Sequence, residues 1–249
     1  MKILISIVNH ANDDEIRDQL ASFKDQYDEI VSRGHELTIA LTHNLPGHDA
    51  SINEENFVTP IVNRLPRSFG ENHNQAFKLK KSDVFVVCNP DVLYQAGSLA
   101  DLCEQSFQNG NLISPYLVEE NGDPFDPGRK VPSITELFTR FYNLFIFNGA
   151  SSSLGFHVFK PDWVPGVFMV MPSHIFRDLQ GFDESIFMYY EDADLCRRLV
   201  LSGFSIATSE HVLLFHKVGR GSRKSLRLFY HHALSALRVS FLRPWKRVS

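Results

Sequence analysis

The chain has 249 residues, 43% of them hydrophobic and 22% charged, and a formal net charge of −4, the make-up of a globular protein with a sizeable core. Cys88, Cys103 and Cys196 lack paired spacing, which excludes a disulfide framework and a cysteine-based zinc cluster and favours a reducing compartment. No apolar run reaches the ~18–20 residues that cross a bilayer, and MKILISIVNHAND has no small-residue cleavage site, so a soluble or peripheral protein that begins on a strand is expected.

Lys2–Val8 (KILISIV) is apolar and β-branched and predicts a buried strand. Asn12 or Asp13 caps a helix whose Ile16, Leu20, Phe23, Tyr27 and Ile30 recur at helical spacing, with Gly34 as its stop. Strands follow at Glu36–Thr42 and Thr59–Val62, then a helix over Gly70–Lys81. Asp83–Cys88 (DVFVVC) is apolar enough for a central parallel strand. Further on, Glu119–Lys130 is a turn-rich loop, Ser133 caps a helix, and Trp163–Met171 reads as a strand leading to a short helix near His174–Leu179. Glu191–Ser202 is a helix stopped by Gly203. Short strands at Phe204–Ala207 and Val212–Phe215 precede a basic helix from about Ser222 to Phe241.

Alternating strands and helices predict an α/β fold with a mainly parallel central sheet flanked by helices. Such sheets bind ligands beyond the carboxyl ends of their strands. That rule selects the polar segments Asn9–Asn12, Thr42–Asn44, Asn63–Asn74 and Asn89–Asp91. Neither GxGxxG nor a P-loop is present, which argues against dinucleotide and ATP binding.

Two acidic motifs carry the chemistry. Asp91 ends the DVFVVC strand, where one carboxylate can tether a divalent cation completed by substrate phosphates; by itself Asn89-Pro90-Asp91 is equally a turn. Glu191 and Asp192 begin a helix, where the dipole favours acids by ~0.3–1 kcal/mol. Beside the apolar run Phe187–Tyr190 they also suit a general base. Asp194, with Arg197 and Arg198, reads as a supporting ion-pair group.

WVPGVFMVMPSHIFRDLQGFDESIFMYYEDADLCRRLVLSGFSI resembles the signature of family 2 glycosyltransferases, especially their rhamnosyltransferase-like branch. It has the W-x-x-G strand, the G-F-D-E turn, the F-x-Y-x-E-D element, D-x-x-x-R and a glycine-ended helix, in order. VNRLPRSFGENHNQAF, VVCNPDV, GRKVPSITELFTR and HKVGRGS resemble further segments of that family. The resemblance implies a single GT-A (Rossmann-like) domain over residues 1–221: about 1–95 as the nucleotide-sugar-binding half, about 96–221 as the acceptor-binding and catalytic half.

Residue by residue, it implies Asp192 as catalytic base and Asp91 as metal- or diphosphate-binding acid, with His216 as a second metal ligand and Mg2+ or Mn2+ as cofactor. Asn9, Asn44, Asn63, Asn74 and Asn89 join Asp91 on the donor side. Arg129, Trp163, Asp183, Glu184 and Glu191 fall on the acceptor side, and Ser133 with Arg129 shapes it. The sequence departs from the family at Thr42-His43-Asn44, where an acidic residue commonly reads the nucleobase, and at Asn89, where many relatives carry Asp.

Nine of the 25 Lys/Arg and none of the 29 Asp/Glu lie from His211 onward. An acidic body with a basic amphipathic segment, 222–249, fits an anionic membrane surface; the acidic body and lack of a recognition motif disfavour nucleic acid. The expected function is inverting transfer of a sugar, rhamnose from a dTDP-sugar being the leading candidate. The acceptor is a lipid-linked (polyprenyl-diphosphate) glycan or oligosaccharide in cell-surface polysaccharide synthesis, at the cytoplasmic face of the membrane. The alternatives are an inactive glycosyltransferase-like sugar-nucleotide-binding module and a sugar-nucleotide nucleotidyltransferase, the latter without its glycine-rich N-terminal loop.

Overall fold

Strand alternation builds the molecule. In β1 (Lys2–Asn9), Ile3, Ile5 and Ile7 point to one face of the sheet and Leu4 to the other; in β4 (Val84–Cys88) Val84, Val86 and Cys88 oppose Phe85 and Val87. Each face therefore needs its own cover. The first packs on α1 (Asp13–Ser32) through Ile16, Leu20, Phe23 and Ile30, and on α3 (Leu99–Asn109) through Leu99, Leu102 and Cys103. The second packs on α2 (Phe69–Phe77), α4 (Ser173–Asp178) and α5 (Glu191–Leu201), with Ala76, Phe176, Leu195 and Leu199 in one core. The result is a three-layer α/β/α sandwich. The computed structural model describes residues 1–47, 49–119, 124–125 and 161–216; Arg129, Ser133 and the basic segment 222–249 lie outside them.

The remaining strands are β2 (Glu36–His43), β3 (Val58–Val62), β5 (Val92–Ala96), β6 (Leu112–Glu119), β7 (Pro124–Phe125), β8 (Phe168–Pro172) and β9 (Ile206–His216). Their order is β3-β2-β1-β4-β8-β6-β9-β5, with β7 paired to β6. β1 is parallel to β2 and β4, β2 to β3, and β6 to β9; the pairs β4–β8, β6–β8, β5–β9 and β6–β7 are antiparallel. Following these directions across the sheet, β1, β2, β3, β4, β6 and β9 all point the same way, so the sheet is mainly parallel, as expected.

Several expectations change: the strand expected over Trp163–Met171 begins only at Phe168, and the helix expected to reach Lys81 ends at Phe77. The two strands expected at Phe204–Ala207 and Val212–Phe215 are one, β9, which begins at Ile206 and bulges where pairing jumps from Pro115 opposite Ser209 to Tyr116 opposite Leu213. Between Asp91 and Glu119, where the sequence pattern predicts no element, the chain forms β5, α3 and β6. Ser98 caps α3 by accepting from Asp101 N–H, and left-handed Gly110 ends it.

Candidate active site

Because six strands share a direction, their carboxyl ends share one edge. β8 runs the other way, so its first residue, Phe168, lies opposite Cys88 at that same edge. Asn89 N–H donates to Val167 O at 2.9 Å, and the neighbouring Gly166 N–H donates to Asp192 Oδ2, also at 2.9 Å. The step Gly166-Val167 thus ties the turn that carries Asp91 to the carboxylate of Asp192. A Cβ at Gly166 would stand 3.3 Å from Phe69 Cζ and 3.4 Å from Asp192 Cβ, so the glycine makes room for this approach. At the far side of the Asp91 turn, Val92 pairs with His216 in the β5–β9 register. The backbone of His216 therefore ends β9 beside that turn.

The entry to α5 is strained. Tyr189 and Tyr190 both have φ of +67°, a conformation that costs a non-glycine residue about 1–3 kcal/mol. It delivers Glu191 and Asp192 into the first helical turn. Asp192 Oδ1 accepts from Ala193 N–H at 2.7 Å. Glu191 is only 8% exposed; burial first, and the charge of Asp192 second, push its carboxyl well above the ordinary carboxylate range. The two adjacent acids thus differ in setting: Glu191 is buried with its pKa raised, while Asp192 is partly exposed. Further along α5, Arg198 donates to Asp194 Oδ2 at 2.7 Å, Leu179 O at 2.6 Å and Gly181 O at 2.8 Å. Asp194 is fully buried and forms the supporting ion pair expected of it.

The asparagines at the edge are largely engaged with one another. Asn9 Nδ2 donates to Asp13 Oδ1 at 2.5 Å and lies 3.2 Å from His43 Nδ1, while Asn9 Oδ1 accepts from Asn12 N–H. Asn44 Oδ1 accepts from Asn63 Nδ2 at 2.9 Å and from Arg67 N–H at 2.8 Å. Asn63 Nδ2 also donates to Asn72 Oδ1. Asn44 and Asn63 are buried, and these bonds shape the loop from Asn63 to Ser68. His43, at the departure from the family pattern, is fully buried. Beside this network a cavity of about 250 Å3 is lined by Asn9, Ala11, Asp13, Asp14, Glu15, Leu45, Pro46 and Gly47.

Other expected positions differ in what they touch. Asn74, expected at the donor, spends its amide on the Gly181–Glu184 turn: it bonds Phe182 N–H and O, each at 2.9 Å, and Glu184 Oε1 at 3.0 Å. Trp163, expected at the acceptor, is 8% exposed and belongs to the core that contains Val164, Leu195 and Cys196. Asp183 Oδ1 accepts from Ser185 N–H and so closes its own turn; Glu184 is exposed. Asn9, Asn44, Asn63, Asn89, Asp91, Glu191 and Asp192 gather around the edge. Arg129 and the side chain of His216 lie outside the described residues.

The fold, as distinct from the site, matches known architectures. The backbone superposes on GalNAc-T7 with UDP, GalNAc and Mn2+ (TM-score 0.63, 11% identity, 87% of this chain and 43% of that one). It also superposes on Staphylococcus aureus TarS (0.62, 12%, 96% and 40%), and on the Pyrobaculum calidifontis mannosyltransferase PcManGT with GDP-Man and Mn2+ (0.57, 12%, 88% and 58%). The fold is that of the GT-A glycosyltransferases.

No family model matches the chain. Among curated proteins it is 26% identical over 182 residues to the N-acetylglucosaminyl-diphospho-decaprenol L-rhamnosyltransferase of Mycobacterium tuberculosis, a match covering 69% of this chain and 59% of that one. It is 24% identical over 228 residues to the rhamnosyltransferase WbbL of Escherichia coli K12, covering 87% and 82%. The match thus spans about three-fifths of the mycobacterial relative. By fold the chain is like the GT-A glycosyltransferases, and by sequence it is similar to two rhamnosyltransferases.

Proposed function

We propose that the protein transfers a sugar, with inversion, from a nucleotide-sugar to a hydroxyl of an oligosaccharide or polyprenyl-diphosphate-linked acceptor in cell-surface polysaccharide synthesis. Rhamnose from a dTDP-sugar is the leading donor, in keeping with the names of its two relatives. The observation that carries this reading is the pair of hydrogen bonds through Gly166-Val167, which join the Asp91 turn to Asp192 at the ligand edge of the sheet.

Asp192 is the general base. It accepts the proton of the acceptor hydroxyl as that oxygen bonds to the anomeric carbon, while the carbon–oxygen bond to the diphosphate breaks and its electron pair leaves with the diphosphate. One displacement inverts the centre. The Gly166 N–H aims the Asp192 carboxylate, and protonated Glu191 offers the acceptor a neutral hydrogen-bonding neighbour rather than a second negative charge. Asn9, Asn44 and Asn63 shape the donor side from β1–β3 and residues 1–95. The acceptor side belongs to residues 96–221, where Asp183, Glu184, Glu191 and Arg129 remain its candidate contacts.

Among the described residues there is no group of three or more His, Cys, Asp or Glu able to hold a metal ion. A single strand-end carboxylate fits Mg2+ or Mn2+ only if substrate diphosphate oxygens complete the coordination, which is how magnesium commonly binds. Asp91 would hold the ion, with His216 as further candidate; when bound, the ion neutralises charge on the leaving diphosphate.

Among the described residues no helix is long and apolar enough to cross a membrane. We assign membrane attachment, at the cytoplasmic face, to the basic residues after 221. Liposome co-sedimentation with anionic vesicles should lose the protein from the pellet when they are removed; equal pelleting of both forms would rule this out.

The reaction itself is tested by offering a panel of nucleotide sugars with Mn2+ and polyprenyl-diphosphate-linked acceptors. Asp192→Asn should keep donor binding and lose about 10²–10⁴-fold in kcat, the usual worth of a general base. Full activity in that variant would refute the mechanism.

A further inference from the structure

We infer that Gln19, on the buried face of α1, is the positioning residue that sets Asp91. The inference rests on Asp91 being the cation- and diphosphate-holding acid.

The side chain is fully buried on the helix face that also carries Ile16, Leu20 and Phe23. A leucine would serve that face better, because a buried amide costs free energy unless it is bonded. The amide nitrogen of Gln19 bonds at long range instead, while its Oε1 has no hydrogen-bond partner among the described residues. Its Nε2 donates to Asn89 O at 2.6 Å and Val92 O at 2.9 Å, and reaches Cys88 Sγ at 3.2 Å. These three acceptors bracket Pro90 and Asp91 on both sides.

Their chemistry explains the need. Asn89 O is past the end of β4 and has no ladder partner in the β4–β8 register; it is half-buried and accepts from Gln19 Nε2 and, at 3.3 Å, from Cys88 Sγ. Proline at position 90 gives the turn no N–H. The turn is thus pinned from β8 through Asn89 N–H and from α1 through Gln19, leaving the Asp91 side chain to be aimed by a fixed backbone. The helix that supplies Gln19 starts at Asp13, against Asn9, so the same rigid element spans the donor-side cavity and the Asp91 turn.

The test measures Mn2+ binding by the loss of the free-ion EPR signal, with a nucleoside diphosphate panel (TDP, UDP, GDP) present, in wild type, Gln19→Met, Gln19→Glu and Asp91→Asn. Gln19→Met, similar in shape but without the donor, should weaken Mn2+ half-saturation by about tenfold or more, and raised Mn2+ should recover much of the lost kcat. Gln19→Glu supplies a second folded variant with its own signature. Its introduced carboxyl donates one hydrogen bond when protonated and repels the carbonyls when ionised, so its Mn2+ affinity relative to wild type should fall as pH rises from 6 to 8.5. If Asp91→Asn abolishes binding while both Gln19 variants bind as wild type, the positioning role is overturned and the Asp91 reading stands. If Asp91→Asn itself binds Mn2+ normally, the underlying reading falls.

Discussion

Asn74 grips Phe182 by both backbone groups: its Nδ2 donates to Phe182 O and its Oδ1 accepts from Phe182 N–H, each at 2.9 Å and 108 residues away in sequence. This clamp joins α2 to the turn that precedes α5. The contact is tight on all sides. A Cβ on Gly70 would meet Phe182 Cβ at 2.9 Å, and one on Gly181 would run into Asn74 Oδ1 and stand 3.2 Å from Phe176 Cε1.

Asn74→Ala should therefore cost about 2–4 kcal/mol, since it leaves two buried backbone groups of Phe182 without their partner. Gly181→Ala adds a clash to a φ of +70° and should cost about 1–3 kcal/mol. Part of that clash is with the Asn74 side chain itself. The double variant should consequently be less destabilised than the sum of the two, by more than about 0.5 kcal/mol. Urea denaturation of the four proteins reads the coupling directly, and strict additivity would mean that the two sites do not meet.

The pair Glu191–Asp192 predicts a stability signature. Glu191 has its folded pKa raised above the ordinary 4.5 by burial and by the charge of Asp192. Above pH 4.5 the unfolded chain releases this proton while the folded protein retains it, so folding stability declines with rising pH through the raised folded pKa and is unaffected below 4.5. Glu191→Gln removes the titration with little change of shape. The variant should gain stability relative to wild type from about pH 5 upward, with no relative change below pH 4. A constant offset across pH would assign the variant's effect to packing instead.

His73 contributes the opposite slope. Its ring is fully buried between Phe69 and Phe182, at centroid distances of 4.3 and 5.9 Å, with Nδ1 2.7 Å from Ser6 Oγ. Burial drives its pKa down to about 3 from 6.5. The unfolded chain therefore binds the extra proton between those values: the stability is fully present above pH 6.5 and is lost as pH falls toward 3, at up to about 1.4 kcal/mol per pH unit. Ser6→Ala combined with His73→Leu removes the ring and its partner together. Its stability between pH 6 and 4 should fall less steeply than that of wild type; parallel curves would exclude His73 as the group responsible.

The main elements are legible in the sequence because their signals are local. Helical spacing from Ile16 to Ile30, with Gly34 after it, gives α1; continuous apolar runs give β1, β2 and β4; the acids of α5 stand in its first turn. The strand-end rule then selects Asp91, and the topology brings it to the same edge as Asp192. The sequence pattern splits β9 because Glu210-His211-Val212 interrupts it, and the sheet absorbs them as a bulge. α3 has a cap at Ser98 and a stop at Gly110, yet its apolar positions alternate with Ser106 and Cys103, which blurs the stripe. What no local pattern reveals is which polar residue meets which backbone. Gln19 reaches carbonyls 70 and 73 residues away, and Asn74 a turn 108 residues away; the local hint is that two glutamines, Gln19 and Gln26, sit on the buried, mostly apolar stripe of α1.

Arg198 is the last of these distant ties and has the clearest expected consequence for catalysis. Its guanidinium is two-thirds occupied by backbone: one arm on Leu179 O, another on Gly181 O, and Nε on the buried carboxylate of Asp194. It fixes the middle of α5 against the end of α4, and the first turn of α5 presents Asp192. Arg198→Met removes the cation from a carboxylate with no exposure and should cost about 3–5 kcal/mol. Arg198→Lys keeps the charge but cannot reproduce the fork, so it should fold with a smaller loss while α5 is held less firmly. In the lysine variant kcat should fall by about tenfold with donor affinity unchanged, because a displacement of Asp192 harms the geometry of proton removal and not the Asp91 turn. A loss confined to donor affinity would place the influence of Arg198 on the other half of the site.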